Sequence, residues 1–356
     1  VRETGTPAYI YDAGAIDARV RQLHEAFARQ AHLLCYAVKA NANLSILARL
    51  GEAGLGFDVV SAGELRRVLR AGGRADRTVF AGVGKRPDEI EEALVAGILM
   101  FNVESLGELD RIAEIAGRRG TRAPVAIRLN PDIDPHTHRY VTTGTRRNKF
   151  GLAPAAAAAA FARAASDPRV RVVGLHAHIG SQITDPAPYR EALEHVLAFL
   201  ARTAGAEGTE WINLGGGFGI PYRGETVPHA AAFAEAVLPP LRRTPYRRIL
   251  EPGRLIVGPA GVLLPRGLYV KEGEERRFLV CDAGMNDLLR PPLYEAYHRI
   301  WPVDAPAGPE AGAATDPVPT DVVGPICETA DFRGLDRRLP PVKAGDLLAV
   351  FDAGAY

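Results

Sequence analysis

Several groups able to do chemistry stand directly behind short apolar runs in this sequence. Lys39 follows LLCYAV (33–38). Its amine either snorkels from a strand end or sits desolvated in a cleft, where it can form a Schiff base with an aldehyde. His176 and His178, in HAHIGSQ (176–182), lie two residues apart and project to one side of an extended stretch. Each is either a satisfied core histidine or a flat ring able to stack on a planar cofactor, and no spacing supplies the third ligand zinc needs. Gly215-Gly216-Gly217, in LGGGFG (214–219), is either a tight corner or a set of bare backbone N–H groups that can approach a phosphate. Ser181 could donate to the same group. Glu251 precedes a proline and is held extended. It is either solvated or buried against a pyridine nitrogen, which it would keep protonated. Arg254 offers its fork of donors to a phosphate or to a substrate carboxylate.

Further along, Cys327-Glu328 ends a strand-like run and is followed by Thr329 and Asp331. The thiol is either an inert core group or partly exposed and able to transfer a proton. Arg290 and Tyr294, four apart, share one face if 287–298 is helical, and would then clamp a carboxylate. Cys35, Cys281 and Cys327 are too few and too far apart for a disulfide framework or a CxxC metal site, so a reducing cytoplasm is expected. The opening VRETGTPAYIYD has neither the basic start nor the apolar core of a signal peptide. No run approaches the roughly 18 apolar residues of a membrane span. Lys plus Arg number 43 against 42 Asp plus Glu, a balance that points to no nucleic-acid partner and no anionic membrane surface.

Positioning these groups requires regular elements, and the apolar periodicity supplies them. Strands are expected at 33–38, 55–60, 78–81, 98–103, 124–129, 170–175, 211–214 and 247–251, with patterns of helical period between them. Asp88 or Ser105 could cap two of those helices, and the alanine run 155–160 reads as helix after Pro154. Eight strands alternating with helices over about 250 residues is the arithmetic of a (β/α)8 barrel; an open doubly wound sheet is the competing arrangement. In a barrel, Lys39, Asp58, His176, His178, the glycine run and Glu251 all fall at carboxyl ends of strands, where such barrels keep their chemistry. Beyond residue 260 the runs 262–270, 277–281, 321–327 and 346–351 are strand-like, with little helix between them, and 303–320 is turn-rich. The expected architecture is therefore an α/β (β/α)8 TIM-like barrel at 12–260 plus a second, all-β domain, barrel or sandwich, at 261–356. The opening strand 8–11 pairs into that domain, so 1–11 joins it.

The chain closely resembles the pyridoxal-phosphate decarboxylases of the alanine-racemase-like barrel type (fold type III), and among them the diaminopimelate decarboxylase family. The resemblance runs in order through YAVKAN (36–41), FDVVSAGEL (57–65), FAGVGK (80–85), FNVES (101–105), NPDIDPHTH (130–138), TGTRRNKFG (143–151) and LHAHIGSQI (175–183). It continues through LGGGFGIPY (214–222), EPGR (251–254), MNDLLRPPLYEAYH (285–298), GPICETADF (324–332) and DAGAY (352–356). It implies pyridoxal 5'-phosphate as cofactor, joined to Lys39, with Asp58 near that lysine, His178 stacked on the ring and Glu251 on the pyridine nitrogen. It further implies that Ser181, Gly216 and Gly217 cradle the phosphate with the backbone of 251–254, including Gly253 and Arg254. Arg254, Arg290, Tyr294, Glu328 and Tyr356 correspond to substrate and cofactor contacts, and Cys327 to the residue that protonates the carbanion. Cys327 and Glu328 are implied to complete the partner's site in a homodimer.

The implied reaction is decarboxylation of meso-2,6-diaminopimelate to L-lysine and CO2, the last step of lysine biosynthesis. Glu328 can pair with a distal ammonium, and Arg254 or Arg290 with a distal carboxylate. A decarboxylase of lysine, ornithine, arginine or a carrier-bound amino acid is the alternative within the class. A racemase would need a second base, typically a tyrosine of the β domain, in place of the Cys327 acid. A non-catalytic cofactor-binding barrel could dispense with the second domain altogether. Three positions depart from the family's usual pattern: Asn213 for Asp before LGGG, Ala62 for Gly in the VSGGEL segment, and CETADF for CESGD. All three read as conservative, leaving the chemical groups intact.

Overall fold

The computed structural model describes residues 1–28, 30–133, 148–242, 244–274, 276–305 and 318–356. Parts of the NPDIDPHTH and TGTRRNKFG stretches (134–147) and most of the turn-rich 303–320 segment lie outside the described residues. The chain forms two compact units: Asp17–Gly219 with Val227–Gly253, and Val1–Ile16 with Ile220–Thr226 and Arg254–Tyr356. The sequence reading divides the chain instead at 11/12 and 260/261. The later boundary moves back because the turn after the helix Arg254–Val257 is tied to the chain's last residues. Gly354 N–H donates to the Gly258 carbonyl at 3.0 Å, and Ala353 N–H to that of Gly261 at 2.9 Å.

After β1 (Ala8–Tyr11), eight parallel strands form a closed barrel in sequence order, which excludes the open sheet. They are β2 (His32–Ala37), β3 (Gly56–Val59), β4 (Thr78–Phe80), β5 (Met100–Val103), β6 (Ala123–Arg128), β7 (Val170–His176), β8 (Trp211–Asn213) and β9 (Arg247–Leu250). Closure is made by β9, whose Arg248–Leu250 pair with His32–Leu34 of β2. Strands covered on both faces must be apolar on both, and this is why they read as short continuous runs. Inside the barrel Leu33, Cys35, Val79, Met100, Ala126, Val173, Trp211 and Ile249 pack into an apolar layer. Side chains alternate with period two along a strand. The next inward positions toward the carboxyl ends are therefore Asn102, Arg128, Asn213 and Glu251, and all four are buried. A polar layer thus lies directly on an apolar floor.

Helix starts follow local chemistry. Ser105 caps Leu106–Arg118, accepting the Glu108 N–H at 3.2 Å. Asp88 is not a cap: it lies inside Pro87–Ala96, bonded to Arg86, while Glu89 accepts the Arg86 N–H at 3.1 Å. The alanine run lies within the helix Pro154–Ser166.

The second unit carries β10 (Gly261–Leu264), β11 (Gly267–Glu272), β12 (Arg277–Cys281), β13 (Ile300–Pro302), β14 (Val318–Val323), β15 (Phe332–Leu339) and β16 (Leu348–Val350). Together with β1 they build two four-stranded sheets, ordered β1-β10-β16-β13 and β11-β12-β14-β15. As expected, β1 pairs into this unit, antiparallel to β10 from Ala8↔Leu264 to Tyr11↔Gly261. The single run expected at 262–270 breaks at Pro265–Arg266. Pro291 and Pro292 open the helix, which is confined to Arg290–Tyr294 of the 287–298 segment, because the first turn needs no N–H partner there.

Arg333 of β15 is fully buried and has a structural task. It donates to Asp331 Oδ1 at 2.8 Å and to the carbonyls of Gly284 and Leu288 at 2.7 and 2.5 Å. Asp331 in turn accepts the N–H groups of Met285 and Ile326 at 2.6 and 2.7 Å. One ion pair therefore staples the turn carrying Cys327 to the segment leading into Arg290. Replacing Arg333 with Met leaves Asp331 as an unpaired buried carboxylate. Urea unfolding should register a loss of about 3–5 kcal/mol, and an unchanged midpoint would show the pair to be dispensable.

Candidate active site

Lys39 sits in a single helical turn, Val38–Ala40, at the carboxyl end of β2. Its Nζ donates to Asp58 Oδ2 at 2.9 Å, with Asp58 fully buried and the lysine side chain 40% exposed. Burial, reinforced by the negative charge of Glu251, pushes the Asp58 carboxyl upward, and Lys39 pulls it back. A carboxyl so balanced can hold the lysine's charge or accept its proton.

Glu251 is anchored by neighbours on three strands. Its Oε1 accepts from Asn213 Nδ2 at 2.6 Å and from Asn102 Nδ2 at 3.3 Å, and His176 Nε2 lies 3.5 Å from Oε2. Burial would raise this carboxyl, but the contact with His176 and the positive charge of Lys39 outweigh it and hold it below the usual range. The two amide donors act in the same direction. Asn213 is therefore not a neutral exchange for aspartate. A carboxylate there could still accept the Gly215 N–H, as Asn213 Oδ1 does at 2.9 Å, but it would have no N–H to donate to Glu251.

The glycine run closes over this layer. Gly215 and Gly217 have φ of 68° and 104°, conformations that a side chain disfavours. A Cβ on Gly216 would fall on the Glu251 carbonyl oxygen, and one on Gly217 on that of Gly180. Gly253 is confined by Ala37 and Ala40. Gly216 N–H points to His178 Nδ1 at 3.3 Å. Burial, with the charges of Arg128 and Lys39, holds His178 well below its ordinary pKa, so the ring is neutral. His178 and Ser181 remain partly exposed.

In the second unit, Arg254 donates to the Tyr222 hydroxyl at 2.7 Å and lies 4.8 Å from the Tyr356 ring centre. Arg290 stacks on the opposite partner of that tyrosine pair, its Cζ 4.5 Å from the Tyr222 ring. Tyr294 ends the short helix that Arg290 begins. Cys327 and Glu328 are exposed on the turn after β14, and Cys327 is a free thiol. Asn102, Asn213, Tyr222 and the Asp331–Arg333 pair were not singled out from sequence as functional. Only Asn213 carried a signal, through its departure before LGGG.

These groups fit pyridoxal phosphate. Lys39 offers an amine beside a carboxyl that can manage its proton, Glu251 is a buried anion suited to a pyridinium, and the glycines leave backbone with no room for side chains. On a (β/α)8 barrel this donor set defines the class of pyridoxal-phosphate enzymes. The family model described as "Pyridoxal-dependent decarboxylase, pyridoxal binding domain" matches residues 13–258. The diaminopimelate decarboxylase of Neisseria meningitidis serogroup A is 49% identical over 354 residues, covering 99% of this chain and 85% of that protein. Among solved structures, the diaminopimelate decarboxylase of Helicobacter pylori complexed with L-lysine superposes with a TM-score of 0.93 at 41% identity, covering 100% of this chain and 88% of that one. The lysine/ornithine decarboxylase of Vibrio vulnificus complexed with cadaverine superposes with a TM-score of 0.85 at 24% identity, covering 100% and 89%, a likeness of fold alone. The chain belongs to the pyridoxal-dependent decarboxylases and, within them, to the diaminopimelate decarboxylase family.

Proposed function

We propose that this protein decarboxylates meso-2,6-diaminopimelate to L-lysine and CO2, using pyridoxal phosphate attached to Lys39. The observation that carries the reading is the Lys39–Asp58 pair, 2.9 Å apart, in one unit with the buried, amide-anchored Glu251. Pyridoxal phosphate, when bound, supplies an aldehyde that joins to amines and a pyridinium ring that takes up the electron pair left when CO2 departs. Glu251 holds the proton on the ring nitrogen. The neutral His178 ring offers a flat face to the cofactor, and Ser181, Gly216, Gly217, Gly253 and the Arg254 backbone bind its phosphate. Asp58 exchanges a proton with the Lys39 amine when substrate takes that amine's place.

The second unit serves the substrate. Arg290, with Arg254, Tyr294 and Tyr356, binds the distal carboxylate, and Glu328 the distal ammonium. Cys327 donates the proton that replaces CO2, and Cys327 and Glu328 act in the partner subunit of a homodimer. A thiol kept free for this task suits a reducing compartment, and we place the protein in the cytoplasm. Among the described residues no helix is long and apolar enough to cross a membrane.

Lysine, ornithine and arginine lack a distal carboxylate to offset the burial of an arginine. Measured CO2 release should therefore favour meso-diaminopimelate over each of them by at least about 10²-fold in kcat/KM, the scale on which a site built for a polar group rejects analogues lacking it. Equal turnover of lysine or ornithine would move the assignment to a broader decarboxylase. Loss of optical activity from L-lysine or L-ornithine without CO2 would make the protein a racemase.

A further inference from the structure

The buried histidine of the YEAYH segment has no role in the reaction derived so far. His298 is fully buried, and both ring nitrogens are committed. Nδ1 lies 2.9 Å from the Phe351 carbonyl, which can only accept, so Nδ1 carries the hydrogen. Nε2 is thus the bare nitrogen, and it accepts from Arg290 Nη1 at 2.9 Å. Burial, and then the charge of Arg290, push the imidazole down to about 3, so the ring stays neutral and the tautomer is fixed.

The consequence for Arg290 is directional. Its guanidinium face lies on the Tyr222 ring, with Cζ at 4.5 Å, and its Nη1 is taken by His298. What remains is the side-on fork of Nε and Nη2, the edge that grips a carboxylate with two parallel bonds. Among the described residues the Arg290 Nε–H is buried and without a partner, a cost the protein carries until an acceptor arrives. We propose that His298 is a positioning residue that sets substrate specificity: it pins Nη1 of Arg290 to the backbone carbonyl of Phe351 and so presents the Nε–Nη2 fork to the distal carboxylate of the substrate. This rests on the proposed reaction and adds to it the device that aims the carboxylate grip.

The test uses purified holoenzyme with His298→Leu and His298→Gln, measuring kcat and KM for meso-diaminopimelate and competitive inhibition by cadaverine, which has no carboxylate at either end. H298L is expected to raise KM for diaminopimelate about 10- to 100-fold, the cost of losing a hydrogen bond to a charged group. It should leave kcat, the visible spectrum and the cadaverine inhibition constant near wild type. H298Q, which keeps an acceptor, should recover most of the loss. If H298L weakens diaminopimelate and cadaverine alike, or neither, the positioning role is overturned while the decarboxylase reading stands. Should H298L not fold, H298Q decides through the same ratio of diaminopimelate KM to cadaverine inhibition, which must rise above wild type less steeply than a tenfold change and must not shift both ligands together. Wild-type enzyme that releases no CO2 from diaminopimelate overturns the reaction, and this proposal with it.

Discussion

Replacing Lys39 with alanine abolishes the visible Schiff-base band of the holoenzyme and lowers turnover of meso-diaminopimelate by about 10⁴-fold or more. That figure is the upper end of what a positioned proton-transfer group contributes, and here the covalent anchor is lost as well. The physical basis is the pair it breaks. Asp58 is fully buried and accepts from Lys39 Nζ at 2.9 Å, so removing the amine leaves a desolvated carboxyl already pushed upward by its surroundings. Without Lys39 that carboxyl takes up a proton and can no longer hold a charged amine in place. Added amines such as methylamine should restore part of the turnover, whereas a variant with an intact band and wild-type rate would place the attachment elsewhere.

Cys327→Ala should behave differently. Cys327 is not among the groups assigned to the cofactor, so the visible spectrum stays as in wild type. Product formation falls by about 10²- to 10⁴-fold, the usual worth of a general acid. Because Cys327 is proposed to act in the partner's site, chains carrying Lys39→Ala and chains carrying Cys327→Ala should complement one another. Random pairing of equal amounts makes half the dimers mixed, each with one complete site, so activity returns to about a quarter of wild type. Unchanged turnover in the single variant removes Cys327 from the role. A slow single variant without complementation would place Cys327 and Lys39 of the same chain in one site.

Much of the barrel is readable in the sequence because a strand buried on both faces can contain little but apolar residues. LLCYAV and VRVVGL announce β2 and β7 for that reason, with bounds within a residue of those found. The site is readable for the complementary reason: Lys39, His178, the glycine run and Glu251 interrupt apolar runs at their carboxyl ends. What stays hidden is held by partners far away in sequence. β15, FRGLDRRL, looks like a charged loop, and its buried Arg333 makes sense only once Asp331 and two distant carbonyls are brought to it. β13 has three residues, too few for a pattern. Asn102 and Asn213 carry no periodic signal as amides, and their task appears only when the period of two turns both toward Glu251. The His298 contact to Arg290 likewise depends on a carbonyl 53 residues away, Phe351, which no local spacing foretells.

The most direct measurement is borohydride reduction of the holoenzyme followed by peptide mass analysis. The account predicts one pyridoxyl-phosphate adduct, located on Lys39 within YAVKAN and lost when meso-diaminopimelate is added before reduction. An adduct on another lysine, or no adduct in protein supplied with the cofactor, would contradict it.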